Sequence, residues 1–183
     1  RLLEQPAPRG PYAARNRGLR AATGEILAFT DSDCVPAKDW VERGVEALLR
    51  EPADLAAGQV RFRLASPRSA AEIFDSIANL DHERSVALRG VANTGNLFAA
   101  RRVIDAIGPF SERRSGCDVE WTARASGAGF ALVYAPEAVV EKPARGATAL
   151  ARKQWRVGRG HVAMWRAAGE PLRAILPRIA RCF

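Results

Sequence analysis

The stretch Glu25-Ile26-Leu27-Ala28-Phe29-Thr30-Asp31-Ser32-Asp33 decides how this chain is read. Ile26 to Phe29 is an apolar run without alternation, which predicts a strand buried on both faces, as in a parallel sheet. Asp31 and Asp33 follow at its C-terminal end, the edge where open α/β sheets place ligands. Two aspartates one residue apart in a bend aim hard oxygen donors at one divalent cation, and such a cation can hold a diphosphate. Aspartate also forms turns for purely local reasons, so the pair alone divides evenly between a site and a plain bend.

Working outward, residues 12–22 are rich in Ala and Arg and stop at Thr23-Gly24, the pattern of a helix with a glycine stop. After Pro36 a helix is predicted over 37–50, striped by Val41, Val45 and Leu48 and ended by Glu51-Pro52. Residues 56–64 alternate Val60, Phe62 and Leu64 with Arg61 and Arg63, a strand pattern. One helix is predicted over 69–88, and a loop running into a strand over 90–100. A short helix over 101–107 stops at Gly108-Pro109, and another over 118–126 closes at Gly127-Ala128-Gly129. Short strands are predicted at 130–134 and 138–140, around Pro136. Helix and strand alternate throughout, which indicates an α/β fold.

The 183 residues suffice for about one domain with a real core, and 48% hydrophobic and 26% charged residues suit a soluble globular chain. No apolar run approaches 18 residues and no signal peptide is visible. The chain begins at Arg1 rather than Met, in a Pro- and Arg-rich segment, which suggests a piece of a longer protein. Cys34, Cys117 and Cys182 form no CxxC pair, which argues against zinc and a disulfide framework and for reduced thiols.

The net charge of +8 is unevenly spread: residues 1–141 balance to −1, whereas residues 142–183 carry +9. Such a distribution does not describe a nucleic-acid-binding domain. Residues 149–166 read as one amphipathic helix with Ala151, Trp155, Gly158, Val162 and Trp165 on one stripe and Arg152, Arg156, Arg159 and Arg166 beside it. Two readings follow: a helix packed through its tryptophans with a solvated basic face, or a helix at a membrane surface or over an anionic ligand. His82 reads as an exposed helix residue, and His161 lies on this last helix.

Residues 14–33, Ala14-Arg15-Asn16-Arg17-Gly18 through Thr30-Asp31-Ser32-Asp33, resemble the central block of the family 2 glycosyltransferases. The resemblance continues in order through Asn93-Thr94-Gly95-Asn96-Leu97-Phe98, Gly108-Pro109-Phe110, Gly116-Cys117-Asp118-Val119-Glu120-Trp121 and residues 130–136. It covers nearly all of residues 12–160. It implies a GT-A-like (Rossmann-like) fold: a mixed, mainly parallel sheet flanked by helices. Residues 1–147 would form a partial catalytic domain and residues 148–183 a basic amphipathic helical extension.

The family's activity is transfer of a sugar from a nucleotide-diphosphate donor to an acceptor hydroxyl, with inversion. The resemblance implies Asp31 and Asp33 as ligands of Mg²⁺ or Mn²⁺, with Arg15, Asn16, Asp31 and Asp33 on the nucleotide-sugar side. Asp118 takes the place of the general base, although a carboxylate there also serves as a plain helix cap. Asn93, Thr94, Asn96 and Glu120 fall on the acceptor or sugar side. The implied acceptor is a glycan or lipid-linked precursor, handled in the cytoplasm with contact at the inner membrane face through the basic helix.

Several departures stand out. Cys117 replaces the usual glutamate before the base, and Lys142 stands where many relatives carry a histidine. A protonated lysine does not ligate a metal but can pair with a diphosphate. Gln154-Trp155-Arg156-Val157 does not match the Gln-x-x-Arg-Trp pattern of processive synthases, which implies transfer of one sugar. The family's first strand–helix unit would precede Arg1, leaving an exposed sheet edge. Competing readings are a non-catalytic module of the same fold that binds a partner or regulates, a nucleic-acid-binding tail, and a nucleotidyltransferase.

Overall fold

The computed structural model describes residues 3–4, 10–50, 52–113, 115–167, 169 and 171. Expectations that fall on Cys182, on the side chains of His161, Trp165 and Arg166, and on the tail beyond 171 lie outside the described residues.

The elements run α1 (Pro11–Ala21), β1 (Ile26–Thr30), β2 (Val35–Pro36), α2 (Trp40–Arg50), β3 (Leu55–Arg63), α3 (Ala70–Ala78), α4 (His82–Arg89), β4 (Asn96–Ala100), α5 (Arg101–Ile107), α6 (Cys117–Gly127), β5 (Leu132–Pro143) and α7 (Ala147–Ala167). The strands form one sheet in the order β1-β4-β3-β5-β2. It is the expected mixed α/β sheet, but the balance of pairing differs. Only β3 and β5 pair in parallel; β4 lies antiparallel between β1 and β3, and β2 is antiparallel to β5. Thus β1, β3 and β5 point the same way, and the returning β4 separates two of them.

Sheet periodicity divides the core into two layers. Leu55, Ala57, Leu97 and Ala99 face one layer with Tyr12 and Leu19 of α1, Val103 of α5, and Cys117, Trp121 and Ala125 of α6. Ala56, Phe98, Ala138 and Val140 face the other with Trp40 and Leu48 of α2. The strand covered on both faces is therefore β4, all five of whose residues are buried. The apolar run of β1 differs from expectation: only Leu27 is buried, because among the described residues β1 pairs with β4 alone.

Four further expectations are corrected. The buried stripe of α2 is Trp40, Gly44 and Leu48, while Val41 is exposed; a Cβ on Gly44 would overlap the Phe98 ring. The single helix over 69–88 is two, because Leu80 turns to positive φ and the Asp81 side chain caps α4 by accepting from Arg84 N. The two strands around Pro136 are one, because the register with β3 shifts from Gly58↔Ala135 to Gln59↔Val139 and residues 136–138 are absorbed in a bulge. Trp155 of α7 is exposed, so that tryptophan does not pack the helix; Leu150 and Lys153 turn inward instead.

Helix α3 presents its polar side inward. Asp75, fully buried, receives Arg145 N (3.0 Å), Arg145 Nη1 (3.2 Å), Asn79 Nδ2 (2.9 Å) and Lys153 Nζ (3.3 Å). This network ties α3, the segment after β5 and α7 together. Burial pulls the Lys153 ammonium down to about 8, against the pull of Asp75.

Candidate active site

The C-terminal end of β1 runs into a tight turn in which Cys34 N donates to Asp31 O (3.0 Å). The turn places a carboxylate oxygen of Asp31, one of Asp33 and the Cys34 sulfur within 4.8 Å of one another. Thr30 Oγ1 fastens the strand end to Gly95 O (3.2 Å), bringing the loop before β4 against the aspartates.

Lys142 reaches the same place from β5. Its side chain is 1% exposed, and Nζ bonds Asp31 Oδ2 (3.1 Å) and Asp33 Oδ1 and lies 3.8 Å from Cys34 Sγ. Burial opposes the Lys142 charge, but its bond to Asp33 and the charge of Asp31 outweigh this and hold the ammonium above its usual range. Burial likewise pushes Asp33 up, and Lys142 reverses it, so the Asp33 carboxyl lies below its usual range. Burial raises the Cys34 thiol, which leaves it protonated near neutrality. The two carboxylates therefore suit a hard cation such as Mg²⁺ or Mn²⁺, whereas the protonated thiol does not.

A second polar cluster forms around the single carboxylate of Asp118 at the N-terminus of α6. Asp118 Oδ1 accepts from Tyr12 OH (3.0 Å) and Val119 N (3.0 Å), and Oδ2 accepts from Asn93 Nδ2 and Thr94 N (3.4 Å each). Behind it, buried His82 bridges Gly58 O at Nδ1 (2.8 Å) and Asn93 N at Nε2 (3.1 Å). This geometry assigns the ring proton to Nδ1, with Nε2 as the acceptor. Burial lowers the His82 pKa, consistent with a neutral ring. The sequence reading of an exposed His82 is thus corrected: the residue supports the Asn93–Thr94 loop.

Helix α1 joins the two clusters. Tyr12 and Arg15, three residues apart and so on one face, reach Asp118 and Asp31 respectively. Arg15 Nη2 donates to Asp31 Oδ1 (2.9 Å), and its guanidinium lies 5.3 Å from the centre of the Tyr12 ring.

The sequence-derived residues separate on this geometry. Arg15, Asp31, Asp33, Asn93, Thr94 and Asp118 converge on the two clusters. Thr94 is fully buried, and its Oγ1 has no hydrogen-bond partner among the described residues. Asn16 does not face the clusters: its amide is engaged by Phe110 O (2.8 Å) and Phe110 N (2.9 Å), which pins the bend after α5. Asn96 is fully buried; it accepts from Trp40 Nε1 (2.8 Å) and donates to Gln59 O (2.9 Å) and Ala138 O (2.7 Å), clamping the β5 bulge. Glu120 pairs with Arg124 (2.7 Å) and accepts from Ser111 Oγ (3.1 Å). Sequence reasoning missed Tyr12, His82 and Arg145, whose Nη2 lies 3.9 Å from Asp33 Oδ2. Only Tyr12 carried a signal, its position three residues before Arg15 on one helix.

The mixed five-stranded sheet flanked by helices has the fold of the GT-A glycosyltransferases. Residues 1–103 match the sequence profile of Glycosyl transferase family 2. The chain belongs to this family. It is 41% identical over 165 residues to glycosyltransferase AglE of Haloferax volcanii, covering 90% of this chain and 54% of that protein. Among solved structures, it resembles the mannosyltransferase PcManGT of Pyrobaculum calidifontis in complex with GDP-Man and Mn²⁺ (TM-score 0.66, 21% identity, 100% of this chain and 50% of the other). It also resembles glucosyl-3-phosphoglycerate synthase of Mycobacterium tuberculosis in complex with Mn²⁺, UDP-Glc and phosphoglyceric acid (TM-score 0.54, 21% identity, 93% and 57%). The chain thus spans about half the length of AglE and of PcManGT. None of its described helices is long and apolar enough to cross a membrane.

Proposed function

We propose that this chain supplies the donor-diphosphate and acceptor-activating residues of an inverting, single-sugar glycosyltransferase. The observation that carries this reading is the linkage through α1 of an Asp31–Asp33–Lys142 cluster to a separately held Asp118. One cluster suits an anionic leaving group with its counter-charge. The other presents a carboxylate beside a polar loop. Asp118 takes the proton of the acceptor hydroxyl as that oxygen bonds to the anomeric carbon, and the bond to the diphosphate breaks on the opposite face. Tyr12, Asn93 and Thr94 N orient the Asp118 carboxylate. Lys142 and Arg15 provide positive charge where the diphosphate departs. A divalent cation held by Asp31 and Asp33, Mg²⁺ or Mn²⁺, would add neutralisation of the leaving group.

The acceptor we infer is a glycan or lipid-linked precursor, met by a cytoplasmic enzyme at a membrane surface. The outward side of α7 supports this location: it exposes Trp155 together with Arg152, Arg156 and Arg159. Sedimentation with phosphatidylglycerol-containing vesicles, and none with neutral vesicles, is the expected behaviour; equal indifference to both would contradict it.

The donor assignment is tested by thermal denaturation of the full-length protein with Mn²⁺ and a panel of UDP-, GDP- and dTDP-sugars. A shift with one nucleotide family that vanishes in Asp33→Ala is expected. No shift with any donor would refute the assignment.

A further inference from the structure

Every carboxylate oxygen of the Asp-x-Asp turn already faces a basic group. Asp31 Oδ1 pairs with Arg15 Nη2 (2.9 Å) and Asp31 Oδ2 with Lys142 Nζ (3.1 Å). Asp33 Oδ1 pairs with Lys142 Nζ, and Asp33 Oδ2 lies 3.9 Å from Arg145 Nη2. Arg145 continues to Asp75, which Lys153 also reaches (3.3 Å). Among the described residues, the connected network thus holds three carboxylates, Asp31, Asp33 and Asp75, against four cationic side chains, Arg15, Lys142, Arg145 and Lys153. Its net charge is +1.

We propose that Lys142 is a built-in competitor for the cation position, so that the site receives a diphosphate first and a divalent cation only together with it. This rests on the reading of Asp31 and Asp33 as the donor site. A bare divalent cation entering a network of charge +1 meets repulsion and must separate Lys142 from both aspartates at once. Lys142 is 1% exposed and holds its place from the protein side, whereas Asp31 and Asp33 are 31% and 49% exposed, so water screens the contest from the side on which the cation enters. A nucleoside diphosphate carries the opposite sign. It gains from Lys142, Arg15 and Arg145, and it supplies new partners for the ammonium when the aspartates turn to the metal. Diphosphate and cation therefore bind with positive coupling, each strengthening the other by the same factor. A histidine at position 142 could accept the metal as a neutral ligand, whereas the lysine contests it.

The test uses full-length protein and three probes: MnCl₂ followed by electron paramagnetic resonance, UDP or GDP followed by calorimetry in EDTA, and both together. For the unaltered protein, Mn²⁺ alone binds weakly, the nucleoside diphosphate binds in EDTA, and each tightens the other by about tenfold or more. Lys142→Met and Lys142→His each bind Mn²⁺ alone at least about tenfold more tightly and lose the metal-free diphosphate binding. Two substitutions keep the test decisive if the methionine variant fails to fold. Mn²⁺ bound alone as tightly by the unaltered protein as by Lys142→His would overturn the proposal. Failure of every nucleotide, with or without Mn²⁺, would instead refute the donor reading, while the Mn²⁺ comparison still judges Lys142.

Discussion

The Tyr12 hydroxyl donates to Asp118 Oδ1 over 3.0 Å, across 106 residues of sequence. Burial raises the Tyr12 phenol well above its usual range, and the charge of Asp118 adds to this, so Tyr12 keeps its proton as a donor. Tyr12→Phe preserves the packing on Phe110 (centroids 6.2 Å apart) and removes only the hydroxyl. A hydrogen bond to a charged group contributes about 1.5–3 kcal/mol. Turnover of the full-length enzyme should fall by roughly ten- to a hundredfold with KM little changed, since about 1.4 kcal/mol is a factor of ten. An unchanged kcat would remove Tyr12 from the account.

His82 predicts a particular acid sensitivity. Burial depresses its pKa, with Gly58 O and the Asp118 charge working the other way. The unfolded chain therefore takes up a proton that the folded ring refuses. Stability is full above the unfolded value, near 6.5, and declines as pH falls below it, by at most about 1.4 kcal/mol per pH unit. Urea midpoints at pH 7.5, 6.5 and 5.5 read this directly. His82→Gln should flatten the dependence in that window. Asp33, whose carboxyl is also depressed, loses its contribution only at lower pH, below about 4.

Asn96 lies in a motif that suggests sugar recognition, yet its amide holds Trp40, Gln59 and Ala138. Asn96→Ala leaves buried partners unpaired at about 1–3 kcal/mol each. A loss of roughly 3 kcal/mol or more in unfolding free energy is expected. A variant of normal stability with a raised acceptor KM would restore the sugar-binding role.

Gly44→Ala sets helix propensity against space. Alanine favours an exposed helix position by about 1 kcal/mol, but overpacking costs about 1–3 kcal/mol. The new methyl would meet Phe98, itself fully buried against Trp40 at 4.9 Å between centroids. Overpacking should win, and the melting temperature should drop; a rise would show that the α2–β4 contact can relax.

The legible features were those set by local chemistry. The short helix before Gly108-Pro109 is α5, with the expected bounds, because a glycine and a proline stop it. The aspartate turn follows from an apolar run meeting two turn formers. What was not legible depends on partners distant in the chain. Whether an apolar run is central or at an edge depends on its neighbours, so burial expected for β1 belongs to β4. Asn16 and Asn96 look like ligand amides until the backbone groups 94 and 42 residues away that they bond are seen. Lys142 reads as a substitution in a motif, but its bonds to both aspartates emerge only when β2, just after the aspartate turn, pairs with β5 and sets Val35 opposite Glu141. The 69–88 segment breaks because a single Asp81 cap and one left-handed Leu80 outweigh continuous helix propensity.

The central claim is that Asp118 removes the acceptor proton at a site whose donor half lies at Asp31 and Asp33. The most direct measurement is sugar transfer by full-length Asp118→Asn, with donor binding measured on the same preparation. Asparagine keeps the shape and loses the base. Transfer should fall by about 10²- to 10⁴-fold, with donor affinity within a few-fold of the unaltered protein. Transfer within threefold of normal, at equal donor binding, would contradict the account.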